Sequence, residues 1–255
     1  MTPENAIDTW RCWDISLRTR PVVLRPLSGG RSNRSFLLGS NGTSMVLRLN
    51  GAESALPGAN RNSEFSIWQA ASVQGIAPPL LYVDPGYGFL VSAFIENHLP
   101  SQPSLDKSYV NHAFDLLKRC HQLDLDVPCI DYPGHINQYW QVIESKTTTP
   151  DLVLIRQRES MNLLLEEIIN GGSPTGLCHH HPVVANFVGN SDRLYLIDWE
   201  YALHGLLVMD YAALAVEWEV DNKLITSRTG IEPEMMTMAT SLYRYLCNLW
   251  EAATA

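Results

Sequence analysis

LCHHHPVVANFVGNSDRLYLIDWE, residues 177–200, is the stretch on which the reading of this chain turns. A short apolar run leads into a polar cluster, a second run VVANFV follows, and then a turn GNSDR and a strand YLID. Gly, Asn, Ser and Asp gathered between apolar runs mark tight turns between strands. The last strand ends in Asp198 and the loop before it ends in Asn186, two side chains that offer a divalent cation hard oxygen ligands. His179, His180 and His181 invite a zinc reading. Neighbours on an extended segment point to opposite faces, however, so the three do not converge on one ion.

Upstream, residues 21–49 alternate apolar runs with turns: PVVLRPL, SGGRSN, RSFLLG, SNGTS, MVLRLN. Asn41-Gly42 is a hairpin dipeptide, and the pattern predicts an antiparallel sheet. Phe65, Trp68, Ala71 and Ser72 in residues 61–74 fall at helical spacing, and Gly75 suits a glycine cap. Two more runs flank the turn Asp84-Pro85-Gly86 in APPLLYVDPGYGFLVSAFIE. The pattern then becomes helical in SYVNHAFDLLKRCHQL, in LVLIRQRESMNLLLEEIIN and in the C-terminal EPEMMTMATSLYRYLCNLWEAA. The predicted class is α+β, with a β-rich lobe over 1–96 and a mainly helical lobe over 97–255.

In this order and spacing the motifs resemble the aminoglycoside phosphotransferase and choline kinase superfamily, whose catalytic loop reads HxDxxxxN and is followed by a strand ending in (I/V)D(W/F)E. His179 matches the first position, His181 stands at that of the aspartate, Asn186 closes the loop, and Ile197-Asp198-Trp199-Glu200 matches the strand end. LSGGRSNRSFLL resembles the Gly-rich turn, with Gly29, Gly30 and Asn33; VLRL resembles the third strand, with Arg48 in the place of the phosphate-contacting base. Glu64 resembles its helix partner, and FLVSAFIE, with Ser92 and Phe94, resembles the strand entering the adenine-binding hinge. RCHQL resembles the helix end before the catalytic loop, and Asp210 stands where the family has an acid that hydrogen-bonds that loop.

The resemblance implies a protein-kinase-like two-lobe fold and transfer of phosphate from ATP, with Mg²⁺ on Asn186 and Asp198. It implies that backbone amides at Gly29 and Gly30 approach phosphates and that Arg48, paired with Glu64, neutralises them. Residue 181 would orient the acceptor hydroxyl and take its proton. MDYAALAVEWEVDN resembles the helix closing a choline kinase substrate site, which makes Trp199, Glu200, Tyr201, Glu217 and Trp218 candidates for holding a small cationic alcohol such as choline or ethanolamine. A histidine at position 181 departs from the pattern. Imidazole accepts a proton near neutral pH, but it supplies no negative charge beside a metal. A nucleotide-binding pseudokinase and an aminoglycoside-type enzyme therefore stand as alternatives.

Composition sets outer bounds. A net charge of −9 argues against a nucleic-acid surface, which needs clustered Lys and Arg. No window approaches the roughly 20 apolar residues of a bilayer span, and MTPENAIDTWRCWD lacks the basic start and apolar core of a signal peptide. A cytoplasmic protein with a small-molecule substrate is expected, its oligomeric state left open. The five cysteines are scattered without a CxxC pair, which predicts buried thiols and no disulfide framework.

Overall fold

The computed structural model describes residues 1–13, 15–27, 33–51, 61–102, 106–147 and 149–254, without the side chains of residues 61 and 62. These residues gather into two compact units, one of 1–99 with 187–200, the other of 100–186 with 201–255. Gly29 and Gly30 lie outside the described residues.

The first unit is built on a five-stranded sheet: β1 (Val22–Leu27), β2 (Asn33–Ser40), β3 (Thr43–Asn50), β4 (Leu80–Val83) and β5 (Phe89–Ala93). The spatial order is β1-β2-β3-β5-β4, and every pairing is antiparallel. Asn41 and Gly42 both take positive φ (47° and 78°) between paired Ser40 and Thr43, the two-residue hairpin that Asn-Gly favours. One face of the sheet buries Leu38, Met45, Leu47, Leu49, Phe89 and Val91 against Ala6, Ile7 and Trp13 from the N-terminal segment, which includes the short helix α1 (Pro3–Ile7). Such burial stabilises by about 25 cal/mol per Å² of apolar surface removed from water.

Helix α2 (Arg61–Val73) ends as its glycine predicts. Gly75 takes φ 64°, its N–H bonds Ser72 O at 2.9 Å, and Ile76 N–H bonds Ala71 O at 2.8 Å, the paired bonds of a Schellman cap. The hairpin of β7 (Phe187–Gly189) and β8 (Leu194–Leu196) joins this unit through Leu196 N–H to Ile76 O at 2.8 Å and His98 N–H to Gly189 O at 2.7 Å.

The second unit holds α3 (Lys107–His121), α4 (Tyr132–Lys146), α5 (Leu152–Asn170), α6 (Leu207–Glu217), α7 (Asn222–Thr229) and α8 (Pro233–Thr254), with a two-stranded ribbon of β6 (Thr175–Cys178) and β9 (Leu203–Leu206). Helix α4 begins at an Asp131 cap whose carboxylate accepts from Gly134 N–H at 3.0 Å, with Pro133 in the first turn. Two polar bonds tie α4 to α8: Trp140 donates its indole N–H to the Tyr245 hydroxyl at 2.9 Å, and Lys146 Nζ donates to Ala253 O at 2.7 Å. No described helix is long and apolar enough to cross a membrane. All five cysteines are free, but Cys12 and Cys129 are exposed rather than buried. Cys12 closes a single 3₁₀ turn and Cys129 lies outside the helices and strands, so neither sits on a core-facing periodicity.

Candidate active site

In the first unit the sequence brings Arg48, Glu64 and Asp198 together. Arg48 sits on β3, paired with Leu90 on one side and Ser35 on the other. Its Nη1 meets Glu64 Oε1 at 2.6 Å and Asp198 Oδ1 at 3.6 Å, its Nε donates to Asn50 Oδ1 at 3.2 Å, and its guanidinium lies over Trp68. Both Arg48 and Glu64 are buried. Burial alone pulls an arginine toward its neutral form, yet the ion pair with Glu64, helped by Asp198 and Glu200, outweighs it and leaves the Arg48 pKa raised. Arg48 Nη2 has no hydrogen-bond partner among the described residues, a charged donor that suits a phosphate oxygen.

Asp198 holds a left-handed backbone, φ 68°, which aspartate tolerates better than most residues. Glu200, buried, accepts from Asn33 Nδ2 at 3.2 Å, and Asn33 in turn takes the Gly51 N–H at 3.4 Å. Ser92 is buried on β5, and Phe94 N–H bonds Ser44 O at 3.4 Å just past that strand.

In the second unit Asp210, fully buried at the start of α6, gathers the loop backbone. Its carboxylate accepts from His179 N–H at 2.8 Å and His180 N–H at 2.7 Å, and from His121 Nε2 at 3.0 Å. Burial pushes this carboxyl up, but the His121 bond and the neighbouring imidazoles outweigh it, and the pKa falls below the ordinary carboxylate value. His179 is itself a core residue.

His181 is half-buried, and burial lowers its pKa. Asn186, at the end of a 3₁₀ turn, directs its Nδ2 to two atoms of this residue: the carbonyl oxygen at 2.9 Å and ring Nδ1 at 3.2 Å. That orientation turns Asn186 Oδ1 away, and it bonds no described side chain. An amide oxygen so placed is a donor type that fits Mg²⁺.

The model for the phosphotransferase enzyme family matches residues 23–229. The chain belongs to that family. None of the curated proteins matches it in sequence. Solved structures share its fold at low identity. A choline/ethanolamine kinase family protein of Mesorhizobium loti is 20% identical, with TM-score 0.76 over 98% of this chain and 85% of its own. The choline kinase LicA of Streptococcus pneumoniae is 22% identical, with TM-score 0.76 over 91% and 86%, and the same kinase is also known in complex with AMP. A microcompartment-associated aminopropanol kinase is 17% identical, with TM-score 0.70 over 100% and 90%. The fold is thus protein-kinase-like.

Other residues of this family member were invisible in the family pattern. His180 has φ 61°, and its ring is fixed at both nitrogens, Nδ1 on Tyr201 O at 3.2 Å and Nε2 on the Tyr132 hydroxyl at 3.0 Å. Tyr132 Oη also accepts Leu206 N–H at 3.1 Å, so its own proton goes to His180. Gly205 makes room for this bond: a Cβ there would stand 2.5 Å from His180 Nε2 and 2.6 Å from Tyr132 Oη. The cap motif Asp131-Tyr132-Pro133 marks the start of α4, but nothing in a sequence separation of 48 residues announces the Tyr132–His180 bond.

Among the candidates for the alcohol, Trp199 and Trp218 have no exposed face. Their indole N–H groups bond Leu196 O and Pro182 O, each at 3.2 Å, which makes them framework residues in this structure. Tyr201 is half-buried, its ring edge-on to His181 at 5.8 Å. Glu217 is half-buried and accepts from Cys247 Sγ at 3.8 Å; burial first, and then Glu217, push that thiol up to about 12.

Proposed function

We propose that this phosphotransferase moves the γ-phosphoryl group of ATP, in the presence of Mg²⁺, onto the hydroxyl of a small alcohol that carries an amine, in the cytoplasm. The buried Arg48–Glu64 pair with Asp198 beside it is the observation that carries this reading. Taking this pair out of water costs desolvation that is fully offset only when the remaining donors are hydrogen-bonded, and a phosphate oxygen would supply the partner that Arg48 Nη2 lacks among the described residues. Glu64 holds Arg48 in place, Arg48 and the residues around Gly29 and Gly30 receive the phosphates, and Asn186 and Asp198 hold the metal. Bound Mg²⁺ would neutralise phosphate charge. Positioning and charge neutralisation supply most of the acceleration in such transfers. The amine is suggested by the choline, ethanolamine and aminopropanol kinases among the structural neighbours, and here Glu217 and Tyr201 are the half-buried groups able to receive it.

Thermal shift with ATP, with and without Mg²⁺, tests the nucleotide half, and ATP consumption over a panel of amino alcohols tests the transfer. Stabilisation by ATP that depends on Mg²⁺ and is lost in Asp198→Ala is expected. No stabilisation under any condition removes the reading. A second reading, nucleotide binding without turnover, is favoured by the His181–Asn186 bond, which ties up the ring nitrogen nearest the loop backbone.

A further inference from the structure

We infer that His181 meets the acceptor as a hydrogen-bond donor and not as a base, because Asn186 locks its ring in the Nε2–H tautomer. This rests on the phosphotransferase reading for what meets the ring; the tautomer itself stands on local geometry.

The side-chain amide of Asn186 has only one orientation compatible with its neighbours. Its Nδ2 lies 2.9 Å from the His181 carbonyl oxygen, and the reversed amide would set oxygen against oxygen there. Nδ2 is therefore the donor, and it carries two hydrogens. The second is directed at His181 Nδ1, 3.2 Å away. An Nδ1–H would confront that N–H group, so Nδ1 accepts and the ring proton resides on Nε2. The backbone reinforces the arrangement: a tight turn sets Val183 N–H on the His181 carbonyl and the 3₁₀ turn sets Asn186 N–H on the Val183 carbonyl, both at 2.9 Å. Among the described residues Nε2 has no hydrogen-bond partner, so it is the open polar atom of the ring.

An aspartate at this position would present lone pairs; the locked imidazole presents an N–H. It can anchor the acceptor oxygen but cannot take its proton at Nε2. When phosphate is transferred, the acceptor oxygen–phosphorus bond forms and the bridging bond to the β-phosphate breaks, its electron pair leaving with ADP. The hydroxyl proton passes to an oxygen of the transferred phosphoryl group. Late proton movement suits a loose transition state, but the contribution of a general base, about 100-fold or more, is missing.

Imidazole ¹⁵N spectroscopy on the full chain, with the His181 resonances identified through their loss in His181→Gln, reads the tautomer directly. We expect an unprotonated Nδ1 and a protonated Nε2; a protonated Nδ1 overturns the inference. ATP-dependent phosphorylation of amino alcohols is then compared between the native chain and His181→Asp. A rise of about 100-fold in turnover is expected, and a fall overturns the inference, since His181 would then be a working base. If His181→Asp does not fold, the ¹⁵N result decides alone. Absence of any ATP-induced stabilisation of the native chain defeats the proposed function instead, and leaves the tautomer measurement valid.

Discussion

Around Arg48 a full positive charge is buried against a carboxylate 2.6 Å away, with a second at 3.6 Å; around His181 a neutral ring meets a neutral amide. Both clusters occupy positions that the family pattern assigns to phosphoryl transfer, yet one keeps its charges and the other has exchanged them for dipoles. Ion pairs in a dry interior fail abruptly when one member is removed, whereas hydrogen-bonded neutral groups fail by degrees. The cluster around Arg48 is therefore electrostatically committed, and the cluster around His181 is held by geometry.

The sharpest way to break this contrast is Glu64→Ala. It leaves Arg48 buried with its nearest counter-charge gone and should destabilise the chain by roughly 3–5 kcal/mol, measured by chemical unfolding; a loss no larger than that of an exposed acid such as Glu144→Ala would show that the pair is not charged in the way described.

Acidification tests the neutral side. Burial, with His180 nearby, lowers the His135 pKa to about 4, against about 6.5 in the unfolded chain. A histidine with a depressed folded pKa contributes fully above pH 6.5 and loses that contribution as pH falls toward 4. The loss amounts to as much as about 3 kcal/mol, and the slope of Tm against pH over that window should flatten in His135→Asn.

Asp210→Asn keeps one acceptor oxygen for the two N–H groups of His179 and His180. It should cost about 1–3 kcal/mol and speed hydrogen exchange at those two amides before any change in the first unit. Tyr132→Phe is the mildest test. It removes the hydroxyl shared by His180 and Leu206 N–H, for a loss of roughly 1–2 kcal/mol; rescue by also changing Gly205 is not expected, because a Cβ there fills the same space with no hydrogen bond.

The sheet and the helices around the site were legible because local chemistry dictates them. Asn41-Gly42 requires positive φ, Gly75 closes α2, and the alternating runs of 34–49 supply the buried face of the sheet. Arg48, Glu64 and Asp198 could be placed together only through motif order, since nothing local to VLRL or RNSEF brings the two into contact. Helix α4 went unread although Asp131 and Pro133 announce its start, because its apolar residues Ile136, Tyr139, Trp140 and Ile143 are interleaved with polar ones. The aromatic candidates show the limit of composition. Trp199 and Trp218 look like cation-binding residues in sequence, but each buries its ring and spends its N–H on a backbone carbonyl. The Asn186 amide that sets the His181 tautomer follows from a 3₁₀ turn that no pattern of side chains specifies.

The backbone passes from one compact unit to the other after Leu99, again after Asn186 and once more after Glu200. A chain threaded in this way has no place where it can be cut in two. A fragment ending at Leu99 would leave the carbonyl of Ile76 and the amide of His98 facing water where Leu196 and Gly189 should be, and a fragment beginning at Pro100 would carry β7 and β8 as an unsupported hairpin. Neither unit is then a module that gene fusion could transplant by itself, and the β-rich unit can be completed during synthesis only after residue 200 has emerged.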